Sequence, residues 1–286
     1  MLCIAGTVPS HDFPLVGGEA TLSGDRLLVG TTSIDVNRGT PALLAAAVMA
    51  AETLELPPPF ALLVGDTGTG RGSRALYAHL AEVLPAKSFK TITFHYLQPI
   101  IHWHNRLLDV IKTLNPRPCL IADAGFMYAA KMSGAARAYD LFTPDVGELA
   151  FLADEKAPHP FYTRGFILHE NNRVPDLITR AYLHRNAASY LLVKGEKDCL
   201  ADNSGILETV GTPVEDVLEA IGGTGDTLTG LVSVMINAGM EMRKAAVTSM
   251  RINRMAGRLA RPTPATQIME IIREIPQAQR DLTRLS

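Results

Sequence analysis

Short apolar runs alternate with longer helical patterns from one end of the chain to the other. The runs are Leu27–Gly30, Phe60–Gly65, Thr91–Phe94, Cys119–Asp123, Leu141–Thr143 and Tyr190–Lys194. None shows the period-two alternation of a half-exposed strand, so each needs cover on both faces. The segments between them are the cover. Pro41–Leu54 is an alanine-rich helix with proline in its first turn. Ser73–Leu84, Leu107–Leu114, Lys131–Tyr139, Glu148–Ala153, Leu177–Asn186 and Thr224–Asn237 read as further helices, and two more helical segments close the chain. Met1–Thr7 reads as a short strand or an arm. Glu196–Glu208 reads as a hairpin turning at Asp202–Gly205. The pattern predicts a three-layer α/β/α fold, a doubly wound and mostly parallel sheet. No repeat, low-complexity tract or linker divides it, so residues 1–286 are read as a single domain. Ligands of such sheets sit beyond the carboxyl ends of the strands.

Composition narrows the partners. Of 286 residues, 47% are hydrophobic and 27 basic side chains face 29 acidic ones, a net charge of −2. That balance offers no electrostatic footprint for nucleic acid or for an anionic membrane. No stretch reaches the ~18 apolar residues of a bilayer span, and the N-terminus lacks a basic leader region. The three cysteines, Cys3, Cys119 and Cys199, are too few and too scattered for a disulfide framework or a zinc ribbon. A reducing, cytoplasmic location is expected.

The most informative stretch is Ile221-Gly222-Gly223-Thr224-Gly225-Asp226-Thr227-Leu228-Thr229-Gly230. Three glycines in four residues run into an apolar helical pattern. Free backbone N–H groups and the positive end of the helix dipole then favour an anion, phosphate above all. Asp226 falls in the first helical turn, where an acid is an ordinary helix starter. Beside a phosphate cradle it is equally placed to take a proton from an attacking hydroxyl.

Gly-Gly-Thr-Gly-Asp followed by Leu-Thr-Gly resembles the signature of the ribokinase-like superfamily and, more narrowly, of the NAD(P)H-hydrate dehydratases. Other segments support the likeness. Arg38–Ala47 resembles the family's Gly-Ala-Pro and alanine-rich helix. Thr143–Leu149 resembles its Thr-Pro-x-x-Gly-Glu, and Val193-Lys194-Gly195 its Leu-Lys-Gly strand end. Ala256-Gly257 and the tail Ala265–Leu282 resemble its C-terminal region. The resemblance implies Asp226 as catalytic base and Gly223, Thr224 and Gly225 as the anion hole. It implies nucleotide contacts from Lys194, Gly195 and Asn253, substrate contacts from Gly39, Gly68 and Asp123, and magnesium at Glu148. ATP or ADP with Mg2+ would serve a small-molecule substrate, hydrated NADH or NADPH or another hydroxyl-bearing metabolite. The likeness also implies a homo-oligomer, for which the apolar His102–Trp103 region is offered as the contact. Two readings compete with the dehydratase. One is a small-molecule kinase of the same superfamily, and the other a non-catalytic nucleotide-binding protein.

Each residue also has a plain reading. Gly65–Gly72 stands where the family has Gly-Pro-Gly-Leu-Gly, but it is equally a tight βα turn capped by Asp66. Glu148 and Asp145 make a capping box. Asp123 caps the next turn, and Lys194 snorkels to the rim. Arg254 is read as part of a solvated helix face. His102-Trp103-His104 lacks a third metal ligand and is read as surface or interface around the one tryptophan. Two departures from the family bear on the acceptor. Asp123-Ala124-Gly125 stands for Asp-Ala-Asp, and only Leu54–Pro59 remain where an extra strand and helix are expected.

Overall fold

The computed structural model describes residues 1–156 and 173–285. It opens with β1 (Leu2–Val8) and a meander of β2 (Val16–Ser23), β3 (Arg26–Val29) and β4 (Thr32–Asp35). Then come α1 (Thr40–Thr53), β5 (Phe60–Gly65), α2 (Arg71–Ala86), β6 (Thr91–His95) and α3 (Ile101–Lys112). β7 (Cys119–Asp123), α4 (Gly125–Met132), β8 (Leu141–Phe142) and α5 (Val146–Ala153) follow. The second described stretch holds α6 (Val174–Leu183), β9 (Tyr190–Val193), β10 (Asp198–Asp202), β11 (Gly205–Val210), α7 (Thr224–Asn237), α8 (Met242–Leu259), α9 (Ile268–Ile272) and α10 (Ile275–Leu285).

The strands form one sheet in the order β11-β10-β9-β8-β7-β6-β1-β5-β2-β3-β4. Its centre, from β9 to β5, is parallel, and antiparallel strands extend both sides. Every residue of β1 is buried. Leu2 and Ile4 point into a core with α1, α7 and α8, whereas Cys3 and Ala5 point into a second core with α2, α3 and α4. One strand feeding two cores is the three-layer arrangement that the apolar runs predicted. Each fully buried Leu, Ile or Phe contributes roughly 1.5–3 kcal/mol.

Of the two readings of Met1–Thr7 the strand holds: β1 lies between β5 and β6 in the middle of the sheet. Two local expectations need correction. Leu27–Gly30 is part of a peripheral meander, because β3 buries Leu27 and Val29 while its first residue is exposed. The helix placed at Lys131–Tyr139 lies earlier, at α4. Ala124 turns the chain with φ 51°, and the bare Gly125 lets the helix start at once, a Cβ there standing 3.0 Å from the Leu97 carbonyl. As read from the sequence, the short Leu54–Pro59 connection carries no further strand or helix between α1 and β5, yet the sheet has no gap beside it. β1 and β5 pair directly from Cys3–Phe60 to Val8–Gly65, so β5 and α2 continue the winding without interruption.

α1 and α7 pack backbone to backbone. A Cβ on Gly230 would come within 2.2 Å of the Leu43 carbonyl oxygen. The alanines of α1 are almost all fully buried, which suits a helix enclosed on every side.

Candidate active site

α7 begins at a glycine that only a residue without a Cβ adopts comfortably. Gly223 has φ 103°, and a side chain there would also meet Ile268 at 2.9 Å. The first intrahelical bond runs from the Thr227 amide to the Gly223 carbonyl at 2.9 Å. The amides of Gly223, Thr224, Gly225 and Asp226 therefore donate to no protein acceptor among the described residues. Thr224, Gly225 and Asp226 line a cavity of about 380 Å³ beyond the carboxyl ends of β6, β7 and β9, and Gly223 precedes them. Nine carboxylate side chains and two cationic ones, Lys194 and Arg254, line it.

Asp226 lies at this cavity with its carboxylate held on both oxygens. The Gly39 amide donates to Oδ2 at 2.6 Å, and His95 Nε2 stands 3.1 Å from Oδ1. Burial alone would push the carboxyl up. The hydrogen bond from His95, the charge of Lys194 and the Gly39 amide outweigh burial and hold it below its ordinary value. Asp226 is thus a carboxylate at neutral pH, 14% exposed.

Beneath it lies a second buried group. Lys194 Nζ donates to both oxygens of Asp123, at 2.9 and 3.0 Å, and Thr229 Oγ1 donates to Oδ2 at 2.6 Å. Burial disfavours the ammonium, but Asp123, Glu148 and Asp226 together reverse that and raise its affinity for the proton. Lys194 lies alongside Gly225, where an added Cβ would meet its Cδ at 3.3 Å. His95, Asp123 and Asp226 are the one metal-like cluster among the described residues. The Lys194 ammonium already neutralises it, so it makes a poor metal centre.

Glu148 has two attachments. With Asp145 it forms the capping box of α5, and it also lines the cavity. Burial pushes its carboxyl up to about 8, against the pull of Lys194 and with the help of Asp145 and Asp123. Asn253 supports the site from α8: its Nδ2 donates to the Thr224 carbonyl at 3.0 Å and its Oδ1 accepts from Thr227 Oγ1 at 2.7 Å. Gly195 borders the cavity, with its amide on Asp198 and its carbonyl on Arg254. Arg254 is no solvated residue. It is 11% exposed, pairs with Asp198 at 2.8 Å and lines the cavity.

The structure thus gathers Gly39, Asp123, Glu148, Lys194, Gly195, Gly223, Thr224, Gly225, Asp226 and Asn253 in one place. Gly68 is not brought there. It is exposed in the β5–α2 turn, and the strand that reaches Asp226 is β6, the neighbour of β7. The plain reading holds at that turn: Asp66 caps it. His104 is also not surface, being fully buried against Tyr139 and Ser133. Sequence reasoning missed His95 and Tyr96, which belong to no motif, and passed over Thr40, which sits inside the Arg38–Ala47 segment.

The model of the family described as NAD(P)H-hydrate dehydratase matches residues 101–277, more than half of the chain. The chain belongs to that family. An uncharacterised protein of Methanocaldococcus jannaschii is 43% identical over 218 residues, 76% of this chain and 89% of its own length. The ADP-dependent (S)-NAD(P)H-hydrate dehydratase of Xanthomonas campestris pv. campestris is 26% identical, over 92% of this chain and 84% of its own. Among solved structures, the ADP/ATP-dependent NAD(P)H-hydrate dehydratase of Bacillus subtilis, co-crystallised with ATP and Mg2+, superposes with a TM-score of 0.57 at 15% identity. That match covers 100% of this chain and 90% of that one. The pyridoxal kinase of Staphylococcus aureus gives 0.57 at 13%, over 90% and 88% of the two chains. These likenesses confirm the ribokinase-like fold. As a member of the dehydratase family the chain is an enzyme of the ribokinase-like type, and Asp226 with its open amides stands in the region that the family model covers. Among the described residues no helix is long and apolar enough to cross a membrane.

Proposed function

We propose that this enzyme restores NADH or NADPH from its hydrate at the cost of a nucleotide phosphoanhydride, with ADP or ATP as donor. One observation carries the reading: an ionised carboxylate, fixed on both oxygens, stands in a cavity beside the helix-start amides of Thr224 and Gly225, which have no acceptor among the described residues. Asp226 takes the proton of the substrate hydroxyl, and that oxygen receives the terminal phosphoryl group. Phosphate then leaves with the C–O bonding pair, and loss of a proton from the neighbouring ring carbon restores the double bond. The amides of Gly223, Thr224 and Gly225 face the charge on the transferred phosphoryl, as preorganised donors do in acyl and phosphoryl transfer.

The cavity wall fits magnesium. Its excess of carboxylates would repel a bare polyphosphate, and a hard cation takes oxygen ligands from one or two acids plus water. Glu148 would hold the ion, which neutralises phosphate charge when bound. Asn253 keeps the first turn of α7 in place, and Lys194 supplies the fixed positive charge beside Gly225. Cys3, Cys119 and Cys199 are free thiols kept protonated by burial, which suits the cytoplasm.

The test follows the decay of hydrate absorbance with ADP or ATP and Mg2+. Asp226→Asn is expected to lower kcat by about a thousandfold, within the range of general-base removal, while nucleotide with Mg2+ still raises its Tm. Undiminished turnover in that variant would remove the mechanism. Phosphorylated product released intact would make the enzyme a kinase.

A further inference from the structure

We infer that His95 is a positioning residue for the base: clamped between Thr40 and Asp226, its imidazole fixes which face of the Asp226 carboxylate meets the substrate hydroxyl. The inference rests on the reading of Asp226 as base.

His95 ends β6 with its side chain fully buried, so it does not touch substrate. Nδ1 lies 2.9 Å from Thr40 Oγ1, and Nε2 lies 3.1 Å from Asp226 Oδ1. A neutral imidazole has one donor and one acceptor nitrogen. Were Nε2 bare, its lone pair would face a carboxylate oxygen. The stable assignment places the proton on Nε2, donating to Asp226, and leaves Nδ1 to accept from the Thr40 hydroxyl. Thr40 therefore sets the tautomer, and the tautomer sets the bond to the base.

Three elements are shaped around this clamp. Gly6 on β1 has no room for a side chain: a Cβ would come within 2.6 Å of both Thr40 Cγ2 and the His95 carbonyl oxygen. Thr40 opens α1 immediately after Gly39, whose amide holds the other Asp226 oxygen. Tyr96 covers the imidazole edge-on, with ring centroids 4.3 Å apart. Asp123 faces the same Nε2 at 3.7 Å, but Lys194 already occupies its oxygens. Without His95 the carboxylate would keep only the Gly39 amide and be free to rotate. That loss bears on the chemical step. The open amides at the start of α7 and the Asn253 clamp remain, so nucleotide binding is spared.

The two amide side chains dissect the ring. His95→Gln can present a donor near the position of Nε2, whereas His95→Asn can replace only the partner of Thr40. With hydrate, nucleotide and Mg2+, His95→Asn is expected to lose roughly a hundredfold in kcat, the scale of a misaligned reacting group. Its KM for nucleotide should stay within about twofold. His95→Gln should recover about tenfold of that loss, and Thr40→Val should lose about tenfold from the wild-type value. Equal kcat in the Gln and Asn variants, unchanged kcat in Thr40→Val, or a change confined to KM would each overturn the inference. On an Asp226→Asn background, His95→Asn should add nothing. A full additional factor would place the action of His95 elsewhere. An inert Asp226→Asn enzyme with indistinguishable Gln and Asn variants sinks His95 alone, whereas normal turnover in Asp226→Asn sinks the base itself.

Discussion

The turn from β5 into α2 and the turn into α7 are made of the same materials: glycines in left-handed conformations, an aspartate and the free N–H groups of a helix start. They end in opposite states. Asp66 folds its carboxylate back into its own turn. Oδ1 accepts from the amides of Gly68 and Gly70, both at 3.0 Å, and Oδ2 from the Ser73 amide at 2.8 Å and its hydroxyl at 2.7 Å. The nest carries its own anion and has none to bind. Asp226 instead turns its carboxylate across to His95 and Gly39, which leaves the amides around it open. A glycine-rich helix start becomes a phosphate site only where its own acid has somewhere else to go.

The largest change expected from breaking this contrast is Asp66→Ala, which strips four hydrogen bonds from a buried turn. A cost of about 3–5 kcal/mol is expected for leaving such donors unpaired, and calorimetry should show a Tm lower by on the order of 10 °C. The nucleotide-induced rise in Tm should survive; its loss would mean that the two turns are not separate. Burial raises the Asp66 carboxyl, yet the Ser73, Gly70 and Gly68 donors outweigh it and hold it below its ordinary value. The stabilisation is therefore present above the unfolded-state range near 4 and lost as pH falls through the lower folded-state value.

A smaller effect concerns the acid that faces the open turn. The Glu148 carboxyl is pushed up to about 8 in the folded chain. A raised carboxyl contributes stability below its unfolded value of about 4.3 and loses it as pH rises toward the folded value. The ligand-free Tm should fall from pH 5 to pH 8 by a few degrees more in the wild type than in Glu148→Gln. The part of the nucleotide-induced Tm shift that needs Mg2+ should grow over pH 6–8 in the wild type only, as the proton leaves. Parallel curves for the two proteins would take Glu148 out of the metal site.

The smallest effect is expected from Gly68→Ala. Its φ of 98° makes an alanine strained, although the space around it is open. A penalty of about 1 kcal/mol is expected, with kcat and both KM values unaltered. A tenfold rise in KM for the hydrate would return Gly68 to the site and erase the contrast between the turns.

Local signals carried far in this chain. Helix α7 spans the predicted residues Thr224–Asn237, and β5 and β7 span Phe60–Gly65 and Cys119–Asp123, because glycine punctuation and unbroken apolar runs decide them without tertiary help. β2 gave no such signal. Gly17, Gly18 and Glu19 suit a loop, and they become a strand only by pairing with β5. The site divides in the same way. Asp226 and its glycines announce themselves, and Lys194 ends a strand. His95 is 131 positions from Asp226 and sits in an ordinary strand end, so only the sheet order reveals it. The two aspartate turns look alike in sequence because a carboxylate's direction is a matter of which neighbours it finds.

The contact between Gly230 and Leu43 has a reach beyond packing. Gly230 is one helical turn, about 6 Å, from Asp226, and Leu43 is one turn from Gly39, which grips the same carboxylate. The two helices are thus spaced by a gauge with no thickness, and the grip on the base is calibrated a turn away from where the chemistry happens. The backbone of Leu43 and Ala47, inside the alanine-rich stretch of α1 easily passed over as filler, sets that spacing.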